Sequence, residues 1–284
     1  MKIDVIVEAG LPAARVEQLA VQAERYGIQT LWVAAFPSRR DPVPALAFAA
    51  RATSRIRLAT LPVSPYEVHP LRIADQLLTL NELSNGRATI LIGGLGHSVS
   101  SVTGLEPLRR VTAVKDTVQI LKGLRPDQTL HHQGAMYSLV NYRADWATQS
   151  PPRIYAGATF EKMLRMAAGC ADGSMLSDAP LGRLPQVMQW VEQGLARAGR
   201  SVRTFVSTTS WPGTSSVIAR RARRGAAWLI WRGFLLPWFT ETFLDADAVA
   251  LVVEKKPAFA GIPLAFSTDR GRVPGPSSTH WWST

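Results

Sequence analysis

The chain has 284 residues, 46% of them hydrophobic and 19% charged, with a formal net charge of +11 and a single cysteine, Cys170. That length buries one large core without requiring a second domain, and a lone cysteine excludes a disulfide framework or a cysteine-based metal site, in keeping with a reducing cytoplasm. The longest apolar runs, Ala226 to Trp231 and Ala246 to Val253, fall well short of a bilayer span, and MKIDVIVEAG at the start is a poor signal peptide and a good first strand, so no membrane partner is expected.

Along the chain, short apolar runs alternate with amphipathic segments of helical period, the pattern of a parallel sheet wrapped by helices. Strands are expected at Ile3–Val7, Thr30–Ala34, Ile56–Thr60, Ala88–Ile92, Arg153–Ala156, Ser174–Leu176 and Arg203–Ser207. Between them fall helices at Ala13–Tyr26, Pro44–Ala52, His69–Leu83, Arg110–Leu124, Glu161–Gly169, Leu184–Ala198 and Val217–Trp231. Thr129–Pro152, with LHHQGAMYSL, interrupts the rhythm as a hairpin or irregular insertion that covers the barrel mouth or an edge. Seven strands in this order predict an α/β fold, a (β/α)8 TIM barrel more than an open sheet. The eighth strand is not evident. The one late candidate, Ile262–Phe266, is short and polar-flanked, so the last unit is expected to be incomplete or irregular. Gly271–Thr284 reads as a Gly/Pro/Ser-rich tail outside a 1–270 barrel domain. A missing strand leaves two unpaired sheet edges, to be covered by the tail or by a second copy in a homodimer.

The positive charge is densest at Arg220, Arg221, Arg223 and Arg224, followed by Trp228 and Trp231. A solvated helix face accounts for this cluster better than a polyanion site does. No helix-turn-helix, zinc-finger or aromatic RNA-binding signature accompanies it, so no nucleic-acid partner is expected.

In a parallel α/β fold, ligands sit where strands end. The strand Ala88–Ile92 runs directly into Gly93, Gly94 and Gly96. This loop lacks the dinucleotide spacing and an immediate helix start, and no Gly-Lys-Ser/Thr follows it. Taken alone it is equally a structural turn or a ligand cradle. Gly157-Ala158-Thr159 ends another strand just before a helix, where N–H groups and the helix dipole favour an anion, although Thr159 also reads as an ordinary N-cap. Ser177 at the end of the next strand is a minor contact. Glu8 ends the first strand, and a carboxylate there is costly to bury without purpose. His97, just past the glycines, has the pKa range of a general acid, against the alternative of a solvent-exposed loop residue. His69-Pro70 either starts a helix or meets a phosphate, and Asp41 either reaches inward or pairs with Arg39 or Arg40.

Four segments carry a family resemblance: LWVAAFPSRRDP (Leu31 to Pro42), TSRIRLATLPVSPYEVHP (Thr53 to Pro70), LNELSNGRATILIGGLG (Leu80 to Gly96) and PPRIYAGATFEKMLRMAAGCADG (Pro151 to Gly173). In order, they resemble the successive motifs of the luciferase-like monooxygenase superfamily, closest to its coenzyme F420-dependent branch, over about residues 3 to 235. Ala222–Phe239 is similar to the seventh helix and following insertion of such proteins. The resemblance implies a TIM barrel holding F420 or reduced flavin at the strand C-termini and transferring hydride to or from a small-molecule substrate. It aligns Leu61-Pro62 with a bulge supporting the ring through an unusual cis peptide, where base rates favour trans, and places Ser64 beside it. Gly93, Gly94 and Gly96 would let the cofactor approach the backbone, with its phosphate at Gly157, Ala158 and Thr159. FMN is the alternative cofactor, making the chain a monooxygenase. The third reading is a silent cofactor-binding barrel, because Ala35 and Phe36 stand where sugar-phosphate dehydrogenases of the family carry Asp-His.

Overall fold

The computed structural model describes residues 3–177 and 179–210, with scattered positions between 238 and 250. In chain order its elements are β1 (Val5–Val7), α1 (Ala13–Arg25), β2 (Thr30–Ala34), α2 (Pro42–Ala52), β3 (Arg57–Val63), α3 (Pro70–Leu83), β4 (Ala88–Ile92), α4 (His97–Thr103) and α5 (Arg110–Gly123). Then follow β5 (Leu130–Gln133), β6 (Ser138–Tyr142), β7 (Arg153–Gly157), α6 (Glu161–Cys170), β8 (Gly173–Ser177), α7 (Leu184–Arg197) and β9 (Val206–Ser210). All of these lie in the first of two compact units, Met1–Gly213 and Thr214–Thr284. Of the second unit, helical backbone is described at Trp238, Ala246, Asp247, Val249 and Ala250. The expected helix Val217–Trp231 with its arginine cluster, the segment Ala222–Phe239 apart from Trp238, the candidate strand Ile262–Phe266 and the boundary at 270 lie outside the described residues.

Seven strands form one parallel sheet in the order β1-β2-β3-β4-β7-β8-β9, and β5 pairs antiparallel with β6. The sheet curls. In a flat sheet β2 and β7, three strand spacings apart, would stand about 14 Å from each other, yet the Trp32 and Tyr155 rings meet edge to face at 5.6 Å. Trp32, Ala59, Leu91, Tyr155 and Met175, one from each of five strands, form a single buried cluster with Leu61 against it. Residues of this parity therefore face the interior, and their neighbours face the helices. Among the described residues β1 pairs with β2 alone and β9 with β8 alone, a curled half-barrel of the expected class.

The helices bury small and aliphatic faces, such as Val16, Ala20 and Ala23 on α1. A side chain on Gly194 of α7 would meet the Arg165 carbonyl of α6 at 2.6 Å, so the two helices pack at glycine distance.

The N-terminal ends of the strands are bound by charge. The Arg87 guanidinium donates to the carbonyls of Ser84, Ile56, Ala50 and Thr53 and to the Thr53 hydroxyl, at 2.7–3.0 Å. Glu24 accepts from the N–H groups of Ser54, Arg55 and Ile56. Burial opposes ionisation of Glu24, but those three N–H groups outweigh it and hold the carboxyl below its usual range. Asp172 takes the Ile154 N–H at 2.9 Å and the Lys122 ammonium at 2.5 Å, fastening β7 to α5 and β8.

Two local expectations are corrected, and a third is made specific. The last described strand is Val206–Ser210 rather than Arg203–Ser207, because Ser201 caps a 3-10 turn at Val202–Thr204. The helix α4 begins directly after Gly96, where no helix start was expected, and stops at Gly104 with φ +69°. The insertion forms the β5–β6 hairpin beside α3 and α5. Its turn is tied by Asp116, which accepts from Met136 N–H, while Tyr142 donates to Asp75. Its tip alone reaches the rim, where the Tyr137 hydroxyl donates to the Pro65 carbonyl at 2.8 Å.

Candidate functional site

The C-terminal ends of the strands gather Glu8, Leu61, Gly157 and Ser177 on the interior parity, one from each of four strands or their immediate continuations. Ser177 is exposed and lies level with Ser210 of β9. Glu8 follows β1 on the same face as Asp4, whose carboxylate accepts the Trp32 indole N–H at 3.1 Å. The Glu8 side chain is exposed, so the argument from a costly buried carboxylate does not hold.

The register of β3 against β4 shifts between Thr60 and Val63, which is the bulge expected at Leu61-Pro62. Among the described residues no peptide bond is cis, so the Leu61-Pro62 bond is trans. Pro62 is exposed, and the space beside Gly93 is already taken by it: a Cβ on Gly93 would meet the Pro62 Cβ at 2.8 Å. Gly93 is thus closely packed against the bulge, and its N–H donates to the Val63 carbonyl. Ser64 is likewise inward, 3% exposed, its hydroxyl accepting the Tyr66 N–H within its own turn.

After Gly93 the chain is held in strained backbone. Leu95 is buried with φ +63°, and Arg109, at the start of α5, has φ +53°. Non-glycine residues in this region cost on the order of 1 kcal/mol or more and cluster at functional sites. Gly94 lies in a corner between α5 and α6, since a Cβ there would contact Arg110 Cβ at 3.2 Å and Met163 Cε at 3.5 Å. Gly96 is exposed and caps α4, and His97 is the first residue of that helix.

The phosphate loop is partly corrected as well. The Ala158 N–H donates to the Met175 carbonyl at 3.1 Å, so it belongs to the sheet. Thr159 is half-buried and does not cap α6; the N-cap is Phe160, and no side chain caps the helix. The first-turn N–H groups of α6 are thus the anion-ready donors of this loop. Gly157 has only ordinary neighbours, the closest to a Cβ being the Ile92 carbonyl at 3.7 Å.

Sequence reasoning missed Arg110. It borders Gly94, and its charge acts on the Tyr66 phenol, whose pKa burial raises and Arg110 lowers. The Arg109-Arg110 pair at a predicted helix start was the available signal. Two other residues take structural roles: Asp41 caps α2 by accepting the Val43 N–H at 2.8 Å, and His69 caps α3 through Nδ1. Among the described residues no cluster of His, Cys, Asp or Glu could hold a metal, and no helix is long and apolar enough to cross a membrane.

A curled parallel sheet with its loops, glycines and strained backbone at one rim defines the class of barrel whose ligands bind at the strand C-termini. Within that class, the chain belongs to the luciferase-like monooxygenase family, whose model matches residues 2–248. It is 28% identical over 212 residues to 5,10-methylenetetrahydromethanopterin reductase of Archaeoglobus fulgidus, covering 73% of this chain and 62% of that protein. The chain thus spans less than two thirds of that relative's length. The coenzyme F420-dependent tetrahydromethanopterin reductase of Methanopyrus kandleri has the same fold, with TM-score 0.71 and 19% identity over 91% of this chain and 79% of that one. The oxygenating constituent of 3,6-diketocamphane monooxygenase of Pseudomonas putida, in complex with FMN, superposes with TM-score 0.66 and 15% identity, covering 91% and 88%.

Proposed function

We propose that this chain is an F420-dependent oxidoreductase that exchanges a hydride between the deazaflavin and a small organic substrate. The observation that carries the reading is the corner at Gly94, which is bordered by Arg110 of α5 and by Met163 from the uncapped first turn of α6. An arginine and an uncapped helix N-terminus bordering one glycine are the kinds of group that suit a phosphate-bearing cofactor. The family and the reductase from Archaeoglobus fulgidus support the same reading.

The bound cofactor would supply the hydride chemistry, and the protein supplies position and exclusion of water. Arg110, Thr159 and the α6 N–H groups hold the phosphate. The Leu61-Pro62 bulge supports the ring, while Gly157 and Gly96 leave room for its approach. Glu8 orients substrate at the open mouth, and His97, at the start of α4, donates the proton that accompanies reduction. A fluorescence titration of the purified protein with F420 and with FMN tests the cofactor. Saturable quenching with F420 is expected, and tight FMN binding without an F420 response would overturn the assignment. F420 binding without turnover on any reducible acceptor would leave a cofactor-binding barrel with no catalysis.

A further inference from the structure

The opposite end of the barrel interior contains two buried polar atoms, Arg57 Nη1 and Thr89 Oγ1, that neither the fold nor the proposed chemistry uses. Arg57 starts β3 and Arg153 starts β7, both on the interior parity, with Thr89 of β4 between them. Thr89 lies directly level with Arg153 and with Ala59, which makes Arg57 its diagonal neighbour on β3. Diagonal neighbours are about 7 to 8 Å apart, within reach of long side chains. Arg57 Nη1 and Thr89 Oγ1 are both buried and both lack a hydrogen-bond partner. Thr89 is 1% exposed, so water does not satisfy it from outside. Orphaned buried polar atoms are rare and call for an explanation such as an ion.

The charge balance points the same way. Burial, and after it the charge of Arg153, lower the Arg57 pKa, while the Tyr155 phenol, which is hydrogen-bonded by Arg153, opposes them. The acidic groups near this end are Asp4 and Asp172. Asp172 is neutralised by Lys122, and Asp4 accepts the Trp32 indole N–H. One carboxylate against two guanidiniums leaves one positive charge uncompensated. We propose that Arg57, Thr89 and Arg153 form a binding site for a small inorganic anion at the N-terminal mouth of the barrel interior, separate from the cofactor rim. The anion accepts from both guanidiniums and from the Thr89 hydroxyl, and it ties β3, β4 and β7 together below the Trp32–Tyr155 pair.

Thermal unfolding of the full chain in sodium chloride and sodium sulfate series, with Thr89→Val and Arg153→Gln beside wild type, tests this. Arg153 is exposed, and Val matches Thr in shape, so both variants should fold. The expected result is a wild-type midpoint that rises by about 2 °C or more beyond that of the variants. A response confined to chloride identifies a halide site, and one confined to sulfate an oxyanion site. Crystals soaked in sodium bromide should show anomalous density between Arg57 and Arg153. Equal salt responses in all three proteins with no such density, or an Arg57–Asp4 ion pair in the crystal, would overturn the proposal.

Discussion

At the N-terminal end of the strands, Arg87 reaches five acceptors and Glu24 three backbone donors, and Asp172 is closed by an ion pair. At the C-terminal end, Leu95 and Arg109 occupy left-handed backbone and α6 starts without a side-chain cap. Around its outer faces one end spends its charged groups on backbone and ion-pair partners, and the other holds strain and unspent donors. In parallel barrels the first arrangement serves stability and the second serves chemistry. The strain at Leu95 persists because its side chain is packed into the core, which holds the backbone there.

The largest expected effect tests the stable end. Arg87→Met removes a charged donor from four carbonyls and a hydroxyl, leaving several of them buried and unpaired. A loss of roughly 3 kcal/mol in stability follows, from the cost of breaking a partly buried, charge-assisted network. Urea unfolding measures it. F420 affinity of the folded variant should not change, and a parallel loss of affinity would break the separation of the two ends. At the other end His97→Ala should lower turnover about 100-fold, in the range of general acid catalysis, with cofactor affinity unchanged. The wild-type rate should fall as pH rises and the imidazolium is lost. A flat pH profile with an active alanine variant reduces His97 to the first residue of a helix.

A smaller effect is expected at the phosphate corner. Gly157→Val and Arg110→Ala should each weaken F420 binding about tenfold, which is about 1.4 kcal/mol, the first by crowding and the second by loss of a cation. Stability of the Gly157 variant should be nearly unchanged, since a Cβ there makes ordinary contacts and β-branched residues suit strands. Unchanged affinity in both variants would move the phosphate elsewhere.

The regular part of the barrel was legible because period and punctuation agree. Strands β2 and β4 fall at the expected bounds, and α1, α3, α5, α6 and α7 fall within one residue at each end. What escaped depends on contacts across strands. Nothing local says that Gly93 yields its space to Pro62, or that the Ala158 N–H is spent on Met175. The α4 sequence HSVSSVT is poor in helix formers, so it shows no propensity signal; its stop at Gly104 was the readable clue. Ser64 and His69 illustrate the same limit, because each polar side chain is absorbed by a local turn or cap that competes with ligand binding.

The smallest predicted effect separates the two ends by pH. Glu24 is ionised in the folded chain against the opposing effect of burial, because three N–H groups point at its carboxylate. Its folded pKa lies below the unfolded value of about 4.3. A depressed carboxyl binds fewer protons in the folded state, so its contribution is complete above the unfolded pKa and is lost as pH falls through the folded one. Glu24→Gln keeps the shape but replaces charge-assisted acceptors with a neutral one, at a cost of about 1 kcal/mol near neutral pH. The difference between wild type and variant should shrink as pH falls below about 4, and denaturant midpoints between pH 3 and pH 7 measure it. A difference that stays constant across that interval would mean that shape rather than charge holds α1 to the start of β3, and the contrast between the two ends would then rest on Arg87 and Asp172.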